Sequence, residues 1–452
     1  IESFTVLKDA SSAAIYGAQG ANGVVLIKTK SGKKGKVRIN FNTSVGQARP
    51  IDLPNVLRGA EYARAMNERE LFQNGGDPLY SDEIIAQIQN GTANPEYFGN
   101  DDWFDELFTT ALITDNYLSV NGGGENSNYF FSLRHNHQEG TLNGPSGIDI
   151  YNIRAKVEVN TKDWLTLGIN MVGNYQESEN AANLTGDGGI FRSLVQLNPL
   201  QRIRYSNGDY SGAFSFDGIN AVPARNQAFL AQIGDRRTDD FRLNTQVYGK
   251  IRLAPGLHFE STFTHKFAAA FTNTFNPTWE LYDGPDREVV LVNNDVNTEF
   301  RNAGYFNSYQ TDNIIRYTND FGEKHSLTAL VGHQLIVDRQ FNNLFGLSVQ
   351  GFANNNLRGL SNGNASTLIL SGISDNNGNS GLGLLAGNGA GWAPTKFSLQ
   401  SLFSRIEYRF NNKYLVELNF RADGSSKFPP GEKYGYFPAF SLGWRISEEP
   451  FM

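Results

Sequence analysis

The chain has 452 residues, of which 39% are hydrophobic and only 19% charged, where a soluble protein usually carries about a quarter charged residues. Cysteine is absent, which excludes disulfides, Cys-based zinc sites and thiol nucleophiles, and a net charge of −7 argues against a broad basic face for nucleic acid. No run of roughly 18 apolar residues occurs, so no transmembrane helix is expected; a β-barrel stays open, because its lipid face hides in alternation. Gly and Asn make roughly a fifth of the chain, and 32 Phe with 19 Tyr add a β flavour.

In chain order, Phe4–Leu7 predicts a short strand, Asp9–Ala14 a helical turn, Gly17–Gly23 a glycine-rich bend and Val24–Ile27 an apolar strand. The spacing Gly17, Gly20, Gly23 is not a nucleotide loop. Such a loop follows a strand and opens a helix, so that amides and dipole face the phosphate. Here the glycines follow a helical turn and open a strand, and Lys8 and Lys28 fit no phosphate-binding pattern. Tight backbone approach inside a small α+β unit is the reading preferred.

From Val37 onward, period-2 alternation predicts about twelve strands. Val37, Ile39, Phe41 and Val45 share one face, with Arg38, Asn40, Asn42 and Ser44 opposite. Further members fall near 115–122 and 128–134, at 151–160 and 165–171, and over 241–253 and 257–266. The last lie near 307–320, 324–338, 397–411, 413–423 and 434–446. Each approaches the length of a tilted bilayer span. The first insert is expected to be partly helical: 55–72 carries helix formers, and Ser81 can cap 82–90 before Gly91.

A soluble sandwich would alternate in the same way, so the connections discriminate. Long segments at about 48–114, 176–236, 269–306 and 339–396 alternate with short turns such as Ala254–Gly256, Phe321–Glu323 and Asn411–Asn412. That is the pattern of an up-and-down barrel with unequal rims. Twelve strands leave open edges, which a membrane barrel cannot tolerate, so further strands are expected beyond Met452, and the chain is read as incomplete at both ends.

Other chemistry is weak. His135 and His137 lie on one strand face, where both could reach one metal, but no third ligand stands nearby in sequence. Asp375, Asn377 and Asn379 echo a calcium loop without its glycine or closing glutamate. No nucleophile elbow or obvious carboxylate pair appears, so no enzyme, metal or cofactor is expected. Loop aromatics are the better ligand lead: Trp279 and Trp392 foremost, with Phe191, Tyr205, Tyr210, Phe214 and Phe216. Trp164, Tyr408, Tyr414 and Trp444 read as interface anchors near the short-turn rim.

Val6–Ala10, Ala14–Gly17 and Gly20–Val25 together resemble the end of the plug domain of TonB-dependent outer-membrane transporters, in the SusC/RagA-like branch. Asp102–Phe108, Leu118–Val120, Arg421–Phe428, Gly435–Pro438, Trp444–Arg445 and Ser447–Phe451 fit the same branch in the same order; Ala422 departs from it, where a charged residue is common. The resemblance implies an all-β transmembrane fold: an antiparallel up-and-down outer-membrane β-barrel, with about 12 of an expected 22 strands here and the end of an α+β plug inside. Residues 1–35 would be the C-terminal part of the plug and 36–452 the N-terminal half of the barrel, the long connections being extracellular. Lys8, Asp9, Ala10, Tyr16, Gly17, Gly20, Ala21, Asn22 and Gly23 would carry the structural and gating role of the plug motif.

By the same resemblance the function is TonB-dependent import of an oligosaccharide or oligopeptide across the outer membrane of a Gram-negative bacterium. The partners would be a SusD-like surface lipoprotein acting as a lid, the TonB–ExbB–ExbD complex, and outer-membrane lipid, with no nucleic acid. The alternative is a scaffold subunit of a larger surface assembly on the same fold.

Overall fold

The computed structural model describes residues 1–8, 15–181, 189–286, 288–293, 296–353, 363, 369–371 and 395–452. The helical turn expected over Asp9–Ala14, the Asp375–Asn379 loop and Trp392 lie outside them.

The first unit is a hairpin: β1 (Ser3–Leu7) pairs antiparallel with β2 (Val24–Lys28), Val6 opposite Val25. Between them Gly17–Gly20 forms a 3-10 turn. Gly17 and Gly23 have φ of +55° and +88°, which glycine adopts without the Cβ penalty.

All twelve strands expected from alternation are present. They are β3 (Gly35–Ala48), β4 (Ala111–Gly123), β5 (Ser127–Glu139), β6 (Ser146–Lys162) and β7 (Leu165–Asn180) in the first half. In the connection after β7, β8 (Ala213–Ser215) and β9 (Ala221–Pro223) form a small ladder of their own. The wall resumes with β10 (Asp235–Ala254) and β11 (Leu257–Asn276), and the ladder β12 (Trp279–Tyr282) with β13 (Val289–Asn293) follows. Next come β14 (Thr298–Phe321), β15 (His325–Gln350), the short β16 (Ile369–Ser371) on the edge of β15, then β17 (Thr395–Phe410), β18 (Tyr414–Ser425) and β19 (Tyr434–Trp444). The wall strands pair antiparallel in strict chain order from β3 to β19, the connectivity of an up-and-down barrel wall.

Register carries one face through the sheet. Phe41 opposes Leu118, Leu118 opposes Leu133, and Leu133 opposes Ile153. This apolar face is open to the surroundings: Phe131 is 44% exposed, and Leu133, Ile153, Val247, Phe263, Ile315 and Val331 are similarly bare. A water-soluble sheet would bury such a face; a lipid-facing wall presents it. No helix among the described residues is long and apolar enough to cross a membrane.

Several strands run past the point where alternation stops, with β11 continuing to Asn276, β14 starting at Thr298 and β15 reaching Gln350. Backbone pairing needs no apolar face, so the ladder persists beyond the apolar band where sequence periodicity fades.

The connections 49–110 and 189–234 fold together. Helices form at Gly59–Arg69, Asp82–Asn90, Trp103–Leu107, Gly189–Gln196 and Gln227–Leu230. Ser81 caps the second, its Oγ accepting from Ile84 N at 3.2 Å, and Gly91 closes it in the left-handed region, as the sequence predicts. Trp103, Phe104 and Leu107 pack on Leu194, Ile203 and Ala228 in one core, and Ala63, Tyr80, Ile85 and Leu200 form a second. The sequence leads one to expect helix in the first connection and a long loop in the second; the structure gives both a shared packed interior.

Candidate functional site

Polar residues on the wall face opposite Phe131 meet the N-terminal segment. Arg421 and Asp423 sit two apart on β18, hence on one face, and are 4% and 5% exposed. Arg421 Nε donates to Asp423 Oδ1 at 2.7 Å. Its Nη1 donates to the carbonyl of Ile15 at 2.7 Å, and its Nη2 to Ser401 Oγ at 2.9 Å and Gln334 Oε1 at 3.1 Å. The guanidinium lies over the Phe403 ring, 5.3 Å from its centroid. Three wall strands thus fix one cation whose remaining bond reaches the segment before the glycine turn. Guanidinium geometry suits this, because its rigid fork serves several acceptors in one plane.

Gly17 docks against the same pair. A Cβ there would collide with the Asp423 carboxylate and the Arg421 side chain, so both its φ and its surroundings require glycine. A second anchor lies across the wall on β6. Arg154 Nη2 donates to Thr29 Oγ1 at 2.5 Å and Lys156 Nζ to Ser31 Oγ at 2.7 Å. Just after Ser31, Gly32 lies against the Tyr129 backbone with no room for a Cβ.

Of the residues singled out in the motif, Tyr16, Gly17 and Gly20 are buried or half-buried at this contact, Gly20 fully so. Lys8, Ala21, Asn22 and Gly23 are exposed, with Gly23 N donating to Gly20 O at 2.9 Å to close the turn. Asp9 and Ala10 lie outside the described residues. Sequence reading places Arg421 and Asp423 in a matching motif but gives them no role. The signal was an Arg-x-Asp pair on the lumen-facing parity of its strand.

The histidine pair has a third group after all. His135 Nε2 and His137 Nδ1 both contact Asp149 Oδ1, at 2.8 and 3.0 Å, and His135 stacks on Tyr151. Among the described residues no group of three or more His, Asp or Glu is placed to hold a metal. The two imidazoles share a carboxylate oxygen instead.

The loop aromatics pack inward. Tyr205 is buried with its hydroxyl donating to the Tyr282 carbonyl at 3.0 Å, and burial pushes that hydroxyl's pKa up. Phe214 stands edge-on to Phe216, and Phe216 to Tyr80. Trp279 meets Phe229 edge-on at 5.6 Å. Tyr210 is capped by the Arg204 guanidinium, 3.6 Å from the ring centroid.

At the short-turn rim, Tyr414 and Trp444 face each other across β18 and β19. Tyr414 Oη and Trp444 Nε1 donate to Glu449 Oε1 at 2.8 and 3.1 Å, and Lys413 Nζ stands 3.3 Å from Oε2. The hydrogen bonds from Tyr414 and Trp444 hold the Glu449 carboxyl below its usual range.

No protein-family model matches the chain. Curated relatives match all of it: TonB-dependent receptor P26 of Formosa agariphila is 31% identical over 467 residues, and TonB-dependent receptor SusC of Bacteroides thetaiotaomicron 27% identical over 494. Over its whole length the chain is similar to TonB-dependent receptors, SusC among them. It spans 41% of the length of each of these two relatives. Among solved structures, the RagAB peptide transporter matches the fold with a TM-score of 0.77 and 23% identity, over 99% of this chain and 49% of that one. The RagAB peptide importer in its closed-closed state matches at 0.73 and 24%, over 97% and 47%. In this SusC-like chain, then, the Arg421–Asp423 contact joins the N-terminal hairpin unit to the inner face of a receptor-type wall.

Proposed function

We propose that the full-length receptor is a TonB-dependent importer of the outer membrane, with residues 1–35 ending its plug and 36–452 beginning its multi-pass barrel. The observation that carries this is the glycine turn seated on the buried Arg421–Asp423 pair. A segment seated on the lumen face suits the end of a plug, and a plugged lumen is closed to passive flow, so passage would need work done on the plug. TonB, ExbB and ExbD would supply the work from the inner membrane. The long connections would face outward, where their packed cores offer a firm platform for a SusD-like lipoprotein lid, and the cargo would be an oligosaccharide or oligopeptide.

The test is uptake of labelled oligosaccharides and oligopeptides by cells with and without the full-length gene, in the presence and absence of TonB. Uptake that needs both supports the importer. Co-purification in a large assembly with no TonB-dependent uptake of either class makes the scaffold reading the better one.

A further inference from the structure

Arg69 and Arg225 reach one cleft from two different connections. The cleft, of about 410 Å³, lies between the Gly59–Arg69 and Gly189–Gln196 helices and the segment that runs from β8 to Gln227. Its volume falls within the roughly 300–1,000 Å³ of small-ligand sites. Both arginines are exposed, and neither side chain makes a hydrogen bond or ion pair among the described residues. Other arginines of the same connections are engaged: Arg58 with Asp102, Arg64 with Gln89, Arg202 with the Pro95 carbonyl and Arg204 with Tyr210. Burial raises the pKa of Tyr62 in the lining, and the charge of Arg69 works against that rise. No Asp or Glu lines the cleft, although residues 49–110 hold far more Asp and Glu than Arg.

This lining selects a chemistry. Two guanidinium groups without a carboxylate between them call for an anion, and each presents a planar fork that a carboxylate or sulfate can meet with two hydrogen bonds. The rest of the lining suits a sugar. Gln196 and Gln227 offer side-chain amides, which both donate and accept, as every sugar hydroxyl does. Tyr62 and Phe214 add rings against which the apolar face of a pyranose can pack. An acidic peptide would bring carboxylates too, but peptides are held through a strand edge or through apolar side-chain pockets, and this cleft is built of neither.

We propose that this cleft binds an acidic oligosaccharide, with the carboxylate or sulfate of one sugar unit held by Arg69 and Arg225. The inference deepens the import reading by choosing saccharide over peptide and acidic over neutral sugar, and it rests on that reading only for how the sugar enters the cell.

The test is calorimetric titration of the full-length receptor in detergent with trigalacturonate, sulfated maltotriose, maltotriose and triglutamate. At least one of the two acidic trisaccharides should bind about tenfold or more tightly than maltotriose, and which of them does so tells carboxylate from sulfate. Added salt should weaken that binding and leave maltotriose unaffected. Arg69→Gln and Arg225→Gln remove exposed, unpaired charges, so both variants should fold with unchanged thermal unfolding, and each should weaken the acidic sugar by about tenfold. Arg64→Gln, on the same helix but outside the lining, should leave it unchanged. Maltotriose binding as tightly as both acidic sugars, equal losses in all three variants, or no binding of any probe overturns the proposal. Triglutamate binding more tightly than either sugar overturns the choice of saccharide. Acidic-sugar binding lost in Arg69→Gln but without TonB-dependent uptake would leave the cleft standing and sink the importer reading.

Discussion

Gly17 and Asp423 stand so close that a Cβ on the glycine would occupy the space of the aspartate's carboxylate. The contact joins residues at opposite ends of the chain. It is made possible by a left-handed φ at Gly17 and by an arginine that holds the carboxylate in place. A backbone that can approach this closely only as glycine behaves as a seat rather than a tether.

Gly17→Val should therefore unseat the turn without disturbing the wall. The left-handed conformation costs a β-branched residue roughly 1–2 kcal/mol or more, before the collision with Asp423 and Arg421 is counted. The expected result is a barrel that still assembles but is cut faster by trypsin at Lys28 or Lys30. A cleavage rate equal to that of the unaltered receptor would show that the turn is not held by this contact.

Arg421→Met should destabilise the wall more than the turn. It leaves the Asp423 charge without its guanidinium at a site 5% exposed, and breaking a buried pair from one side costs about 3–5 kcal/mol. The double variant Arg421→Met with Asp423→Leu removes both charges and should recover most of that loss. Thermal unfolding of the detergent-solubilised receptor measures both, and a double variant no better than the single one would argue against a coupled pair.

Much of this was legible in the sequence. Alternation at Ile39, Phe41, Leu133 and Ile153 placed every wall strand, because lipid on one side and polar residues on the other impose a strict period of two. Ser81 and Gly91 marked a helix because capping chemistry is local. What stayed hidden depends on partners distant in sequence. Asp149 is 14 residues from His135 and meets it only through the β5–β6 register. Arg421 reaches Ile15 across 406 residues. The cores under the long connections were invisible for the same reason: Trp103 and Leu194 belong to different connections, and neither carries a long periodic stripe.

The facing of the wall gives a paired test on neighbouring strands. Phe131 projects from the apolar face of β5, so Phe131→Arg should cost about 2–4 kcal/mol if it lies near the bilayer midplane. Arg154 is on the opposite parity of β6, bonded to Thr29, and Arg154→Ala should leave assembly almost unchanged. Heat-modifiable migration of the folded barrel on gels reads both, and equal tolerance at the two positions would reverse the assignment of lipid and lumen faces.

The long connections offer a pH test centred on Asp102. Its Oδ1 caps the Trp103–Leu107 helix, accepting from Phe104 N at 3.0 Å and Asp105 N at 3.1 Å, while Oδ2 pairs with Arg58. Burial works against the charge, yet the bonds from Arg58, Asp105 and Phe104 outweigh it and hold the carboxyl below its ordinary value. A carboxyl whose pKa is lower folded than unfolded contributes its full stability above the ordinary carboxylate range, near pH 4, and loses it as pH falls through the depressed value. Amide exchange at Phe104 and Asp105, corrected for intrinsic rates, should therefore show protection that is flat from neutral pH to about pH 5 and declines below it. Asp102→Asn keeps a capping oxygen but no titrating charge, so it should flatten that decline. Asp102→Ala should lose about 1 kcal/mol of local stability at neutral pH and less in acid, where the carboxylate's own contribution has already gone. A decline that persists unchanged in Asp102→Asn would assign the acid sensitivity to another group.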